Sequence, residues 1–124
     1  MSCNDLPVAP TLLIVDDHPS FRASARELLE SEGFDVVGEA EDGASALAEV
    51  RRLAPDVVLL DVQLPDMNGF AVASELTANG PGSAIVLVSS RDGADFGPLV
   101  LESGACGFIP KGELSGARLT ALIG

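Results

Sequence analysis

Four polar clusters stand where apolar runs end. Leu12–Val15 runs into Asp16 and Asp17, Val57–Leu60 into Asp61, and Ile85–Val88 into Ser89 and Ser90, while Lys111 comes just after Phe108–Ile109. Adjacent carboxylates repel each other, and three in one place are tolerable when a divalent cation sits among them. Hard oxygen donors select Mg2+, which keeps several of its waters and also takes phosphate oxygens. A carboxylate beside Mg2+, with a hydroxyl donor and a lysine opposite, is an arrangement for phosphoryl transfer. The cation and Lys111 neutralise charge on the equatorial oxygens while Asp61 attacks.

These residues converge only if the apolar runs are neighbouring strands. Leu12–Val15, Val36–Val37, Val57–Leu60, Ile85–Val88 and Phe108–Ile109 are rich in Val, Ile and Leu, and several lack alternation, as expected of strands buried on both faces of a parallel sheet. Helical spacing lies between them. Phe21, Ala25, Leu28 and Leu29 share one face, with Pro19 in the first turn and Gly33 at the exit. Leu47, Val50 and Leu53–Ala54 form a second face, stopped by Pro55. Phe70, Ala73, Leu76 and Thr77 form a third, closed by Asn79 and Gly80. The spacing predicts a last helix over Glu113–Ile123. In the stretch 91–105, Gly93, Gly97 and Pro98 predict a short or irregular helix starting near Pro98. Five βα repeats imply an open parallel sheet with helices on both faces and right-handed crossovers. Ligands of such sheets bind beyond the carboxyl ends of the strands, where the strand order reverses. That edge is where Asp16, Asp17, Asp61, Ser89 and Lys111 would meet.

Composition bounds the rest. The chain has 124 residues, enough for one core, and its formal net charge of −12 with only seven Lys and Arg argues against a grip on nucleic acid or anionic membrane. Cys3 and Cys106 form no motif, which fits a reducing compartment. No apolar run approaches the roughly 20 residues of a membrane span, so the expected location is cytoplasmic. The first ten residues, MSCNDLPVAP, read as a flexible leader, and 11–124 as a single domain.

Singly, each residue has a plainer role. An Asp pair after a strand caps a helix, and Asp17 is placed to do so as well as bind metal. Asp61 alone would be a turn residue, Ser89 a strand-end hydroxyl, Lys111 a solvated charge and Phe108 part of the core. Independent capping and turn roles would not select one edge. His18 is not needed for the chemistry and is expected to be exposed or capping. Pro65 and Gly69 shape the loop after Asp61. A dinucleotide site would need a Gly-rich turn after the first strand, which VDDHPS lacks. A Mg2+-dependent phosphohydrolase usually places a second acid two residues after its nucleophile, where Gln63 stands.

As a set, LLIVDDHPSFR, PDVVLLDVQLPDMNGF, IVLVSS and GACGFIPK resemble the receiver domains of bacterial two-component response regulators, over about Thr11 to Ile123. The resemblance implies a flavodoxin-like, doubly wound (βα)5 fold with strand order 2-1-3-4-5. It implies that Asp61 accepts a phosphoryl group from a sensor histidine kinase or phosphotransfer protein. Asp17 would be a direct Mg2+ ligand, Asp16 would act largely through water, and Asp61 and the backbone carbonyl of Gln63 would complete the protein's share. Lys111 would bind a phosphoryl oxygen. Ser89 would move toward the phosphoryl group, and Phe108 would change rotamer with it. The surface of the fourth helix, fifth strand and fifth helix would then switch a partner, with a C-terminal DNA-binding output domain outside this chain and a homodimer as candidates. Such a domain is a signalling module that catalyses its own phosphorylation and dephosphorylation, not a metabolic enzyme. The alternative is a degenerate receiver that binds partners without being phosphorylated. Two features depart from the usual family pattern. Pro110 precedes Lys111 and Gly112 follows it, which resembles the variant common in receivers attached to a helix-turn-helix output. The fourth helix is rich in Gly and Pro.

Overall fold

The computed structural model describes residues 9–90 and 96–123. Strands β1 (Thr11–Val15), β2 (Asp35–Ala40), β3 (Val57–Asp61), β4 (Ala84–Ser89) and β5 (Gly107–Pro110) alternate with helices α1 (Pro19–Ser31), α2 (Gly43–Leu53), α3 (Gly69–Asn79), α4 (Leu99–Glu102) and α5 (Gly116–Ile123). The strands pair in parallel in the order β2-β1-β3-β4-β5, the flavodoxin-like arrangement. Cys3 and Gly93 lie outside the described residues, as does the expected leader apart from Ala9 and Pro10. Pro10 belongs to the sheet's approach, since its carbonyl accepts from Asp35 N at 2.9 Å.

The alternation hidden in the all-apolar strands appears once the faces are sorted. Leu12, Ile14, Val57, Leu59, Val86 and Val88 point to one side, where Ala25 and Leu29 of α1 and Leu119 and Ile123 of α5 cover them. Leu13, Val15, Val58, Leu60, Ile85 and Leu87 point to the other, under Ala46 and Val50 of α2 and Val72, Ala73 and Leu76 of α3. Burial of both faces explains why, after Thr11 at the start of β1, the central strands carry no polar position until they end.

Two boundaries differ from expectation. β2 runs on through Gly38 and Glu39, because an edge strand tolerates a polar residue that α1 can reach: Arg22 Nε and Arg26 Nε meet the Glu39 carboxylate at 3.0 and 2.8 Å. The last helix begins at Gly116 rather than Glu113. Lys111–Glu113 forms a separate 3₁₀ turn, and Ser115 Oγ accepts from Arg118 N at 3.1 Å as the cap of α5. The fourth helix is as short as expected, four residues after Pro98.

Candidate functional site

The sheet places the acids. β1 and β3 are adjacent with Val15 opposite Leu60, so one residue further on Asp16 stands opposite Asp61. Both backbones keep sheet-like bonds there: Asp16 N donates to Ala40 O and Val62 N to Val88 O, each at 3.0 Å. This is the switch point where strands lead outward in opposite directions from β1 and β3, the crevice in which open α/β sheets bind ligands. Asp16 and Asp61 are buried, as is Ser89 at the end of β4, while Asp17 turns outward. Lys111, one residue after β5, reaches back to Asp16 Oδ2 at 2.6 Å and Asp61 Oδ2 at 3.4 Å. Its ammonium also lies 4.6 Å from the centre of the Phe21 ring, which holds it over the edge by cation–π attraction.

Charge in this crevice is unbalanced. Ligand atoms of Asp16, Asp17, His18 and Asp61 all lie within 4.8 Å of one another. Like charges about 4–5 Å apart repel by roughly 3–4 kcal/mol at the effective dielectric near a protein surface, and one lysine cannot cancel three carboxylates. Burial, then the negative charge of Asp16, push the Asp61 carboxyl above the ordinary carboxylate range, against the lowering effects of the Gln63 N–H and Lys111. Gln63 N donates to Asp61 Oδ1 at 3.2 Å. Asp16 Oδ2 is held by Lys111 through charge alone: the contact is not aligned as a hydrogen bond, and this fully buried oxygen has no hydrogen-bond partner among the described residues. A hard divalent cation fits such a donor set, because it would satisfy that oxygen and offset the surplus negative charge.

The loop after Asp61 is shaped by close approach. Gly69 N donates to Val62 O at 2.6 Å, and a Cβ at Gly69 would fall 2.3 Å from the Asp61 carbonyl oxygen, so only glycine lets α3 begin there. Asp66 on the same loop accepts from Gly43 N at 2.7 Å and Ala44 N at 3.0 Å, tying the loop to the start of α2.

A family model described as the response regulator receiver domain matches residues 12–123. The chain belongs to the response regulator receiver domain family.

This receiver is 36% identical over 102 residues to the transcription regulator BvgA of Bordetella pertussis and 35% identical over 101 residues to the DNA-binding transcriptional activator EvgA of Escherichia coli K12, with 82% of the chain covered in each case. The chain spans about half the length of these relatives, 49% and 50%. Among solved structures, the signal receiver domain of NarL from Mycobacterium tuberculosis superposes with a TM-score of 0.82 at 36% identity, covering 95% of this chain and 99% of that one. A two-component response regulator of the LuxR family from Aurantimonas sp. SI85-9A1 gives a TM-score of 0.82 at 29% identity, covering 92% of this chain and 85% of that one.

The structure brings Asp16, Asp17, Asp61 and Lys111 together on this receiver's acidic edge, with Ser89 at the end of the neighbouring strand β4. Phe108 is half-buried and belongs to a row of rings set at steep angles to one another: Phe70 to Phe96 and Phe96 to Phe108 are each 5.4 Å apart between centroids. The expectation that Asp17 caps α1 is corrected. The residue before α1 is His18, whose side chain makes no capping bond, and the carboxylate that accepts from His18 N is that of Asp16, at 2.8 Å. Asp17 is thereby left to face solvent.

Sequence reasoning set aside or missed three neighbours of the site. His18 Nδ1 lies between the acidic pair, 3.0 Å from Asp16 Oδ1 and 3.1 Å from Asp17 Oδ1. Arg22 Nη1 donates to the Asp16 carbonyl at 2.6 Å. Phe21 backs Lys111. The signal available was helical position: Phe21 and Arg22 lie in the first turn of a helix that starts on the acidic edge.

Proposed function

We propose that this receiver accepts a phosphoryl group on Asp61, with Mg2+, from the phosphohistidine of a sensor histidine kinase or a phosphotransfer protein. The observation that carries the reading is the meeting of Asp16, Asp17 and Asp61 oxygens within 4.8 Å, with Lys111 bridging Asp16 and Asp61. Asp16, Asp17, Asp61 and the Gln63 carbonyl would hold the ion. When bound, Mg2+ supplies neutralising charge and a coordination site for a phosphoryl oxygen. An Asp61 carboxylate oxygen forms the O–P bond as the donor's N–P bond breaks, and the leaving imidazole takes up a proton. Lys111, already shared between two acids, gives up part of its contact with Asp16 to meet a phosphoryl oxygen, and Phe21 keeps it within reach. Gln63 N–H fixes the orientation of Asp61. The degenerate alternative lacks support, since each acceptor, acid and cation that the chemistry needs stands at its expected strand end.

Ser89 is drawn toward the new phosphoryl oxygens, and the space it leaves admits Phe108, which abandons Phe96. That shift biases the surface of α4, β5 and α5 toward a partner or a second copy of the chain. The DNA-binding relatives support a transcriptional output for this switch. No helix among the described residues is long and apolar enough to cross a membrane, and a cytoplasmic setting fits a phosphohistidine donor.

Intact-mass measurement after incubation with a small acyl phosphodonor tests the assignment. Wild type should gain one phosphoryl group only with Mg2+ present, and Asp61→Asn should gain none. Equal labelling of the two proteins would remove Asp61 from this role.

A further inference from the structure

We propose that His18 is a nitrogen ligand of the acidic site and turns its preference toward first-row transition dications relative to Mg2+. The inference rests on the reading of Asp16, Asp17 and Asp61 as a divalent-metal site, and adds to it a residue that reading does not use.

The geometry comes first. The imidazole Nδ1 stands 3.0 Å from Asp16 Oδ1 and 3.1 Å from Asp17 Oδ1, and it belongs to the group of ligand atoms that fall within 4.8 Å of one another. Metal–ligand bonds of about 2.1 Å at right angles put neighbouring ligand atoms about 3.0 Å apart. The nitrogen thus already stands at the spacing of neighbouring ligands from one oxygen of each of two carboxylates. The same spacing suits an N–H shared between two carboxylates. Ligation needs the other tautomer, with the proton on Nε2 and the Nδ1 lone pair turned to the metal. His18 can meet that demand, because its side chain is 64% exposed and Nε2–H can donate to water.

A second feature points to a cation rather than to a shared proton alone. Asp16 Oδ2 is buried without a hydrogen-bond partner among the described residues; Lys111 Nζ meets it at 2.6 Å by charge alone, and a proton on His18 does nothing for it. A metal ion in the crevice would draw on the whole Asp16 carboxylate.

Ligand chemistry then sets the preference. Mg2+ binds carboxylates, carbonyls and water, and gains little from imidazole, whereas Ni2+, Co2+ and Zn2+ gain much. Mn2+ accepts both. For Mg2+, His18 is a competitor that must leave the space between Asp16 and Asp17. For a transition dication it is a further ligand. One residue therefore acts in opposite senses on the two classes of ion.

The chain contains a single histidine, so any imidazole signal from untagged protein arises from His18. Calorimetric titration of the full untagged chain with Ni2+ and with Mg2+ should show the ratio of the two affinities falling by about tenfold or more in His18→Ala. Electron spin-echo measurement with Mn2+ bound should show modulation from a directly coordinated imidazole nitrogen in wild type and none in His18→Ala. A ratio that changes by less than about threefold, or wild-type Mn2+ without nitrogen modulation, would overturn the role of His18 while leaving the acidic metal site standing. Failure of wild type to bind any of the three ions would overturn the metal site and this inference together.

Discussion

Helices α2 and α4 lie on the same face of the sheet but are held in different ways. In α2, Ala46 and Val50 are wholly buried, and the first turn is satisfied twice: Asp42 accepts from Ser45 N at 2.8 Å, and Asp66 accepts from Gly43 N and Ala44 N. Helix α4 has a proline at its N-cap with no side-chain cap and no fully buried residue, and Leu99 and Leu101 are 46% and 78% exposed. Its grip comes from half-buried Val100 and from the bond of Thr77 Oγ1 to Ser103 O at 3.2 Å. Local opening costs least where little apolar surface is buried. The acidic edge therefore has one rigid flank, tied through the Asp61 loop to α2, and one soft flank at α4. On the proposed function, a change at Asp61 would be expressed where yielding is cheap.

The largest effect should come from the core of the rigid flank. Val50→Ala removes a fully buried side chain and should cost about 2 kcal/mol, read by urea denaturation, whereas Leu101→Ala should stay within about 0.5 kcal/mol. Equal costs would erase the contrast between the helices. Next comes the site itself. Mg2+ at ten times its dissociation constant should add about 1.4 kcal/mol to wild type, and Asp17→Ala should lose that gain. The pH dependence has the same origin. The raised Asp61 carboxyl means that the folded protein holds this proton more tightly than the unfolded chain does. Its contribution to stability therefore falls as pH rises from the unfolded carboxylate value through the folded one. Asp61→Asn should exceed wild type in stability above that window, and the advantage should vanish below it. A urea series across pH without divalent ions would show this, and an Asp61→Asn protein no more stable at neutral pH would contradict it. Asp42→Ala should cost about 1 kcal/mol through the lost cap of α2. The finest distinction is one of signal. Ser89→Ala should still accept a phosphoryl mimic, yet NMR shifts over 96–109 should shrink relative to wild type. Undiminished shifts would mean that the soft flank is moved by some other route.

Most of the architecture was legible because apolar runs in a doubly covered sheet can do little else. Where reading fell short, the cause was local. Gly38 and Glu39 look like the end of a strand, and only the two arginines of α1 show why β2 continues. Glu113 looks like the polar start of the last helix, but Lys111–Glu113 forms a tight turn, with Lys111 over the acids, and the helix restarts at Ser115. For the site, the acids and the lysine were readable from strand ends alone. The place of His18 was not, since a lone histidine beside two acids has no period to betray which way it turns. Whether it meets Asp16, Asp17 or water depends on the angle at which α1 leaves the sheet.

The ion pairs that join Arg22 and Arg26 to Glu39 also bear on how copies of this protein keep apart. An open sheet has two outer strands, each offering unsatisfied backbone to another molecule. On β2 the arginines crowd one such rim with charge, and Arg26 Nη1 donates to Val36 O at 3.3 Å. On β5 the exposed length is only four residues and closes with Pro110, which has no N–H to offer. Both rims are poor templates for edge-to-edge growth. Assembly of this acidic, apolar-cored chain is thus steered away from its strands and toward the surfaces of its helices.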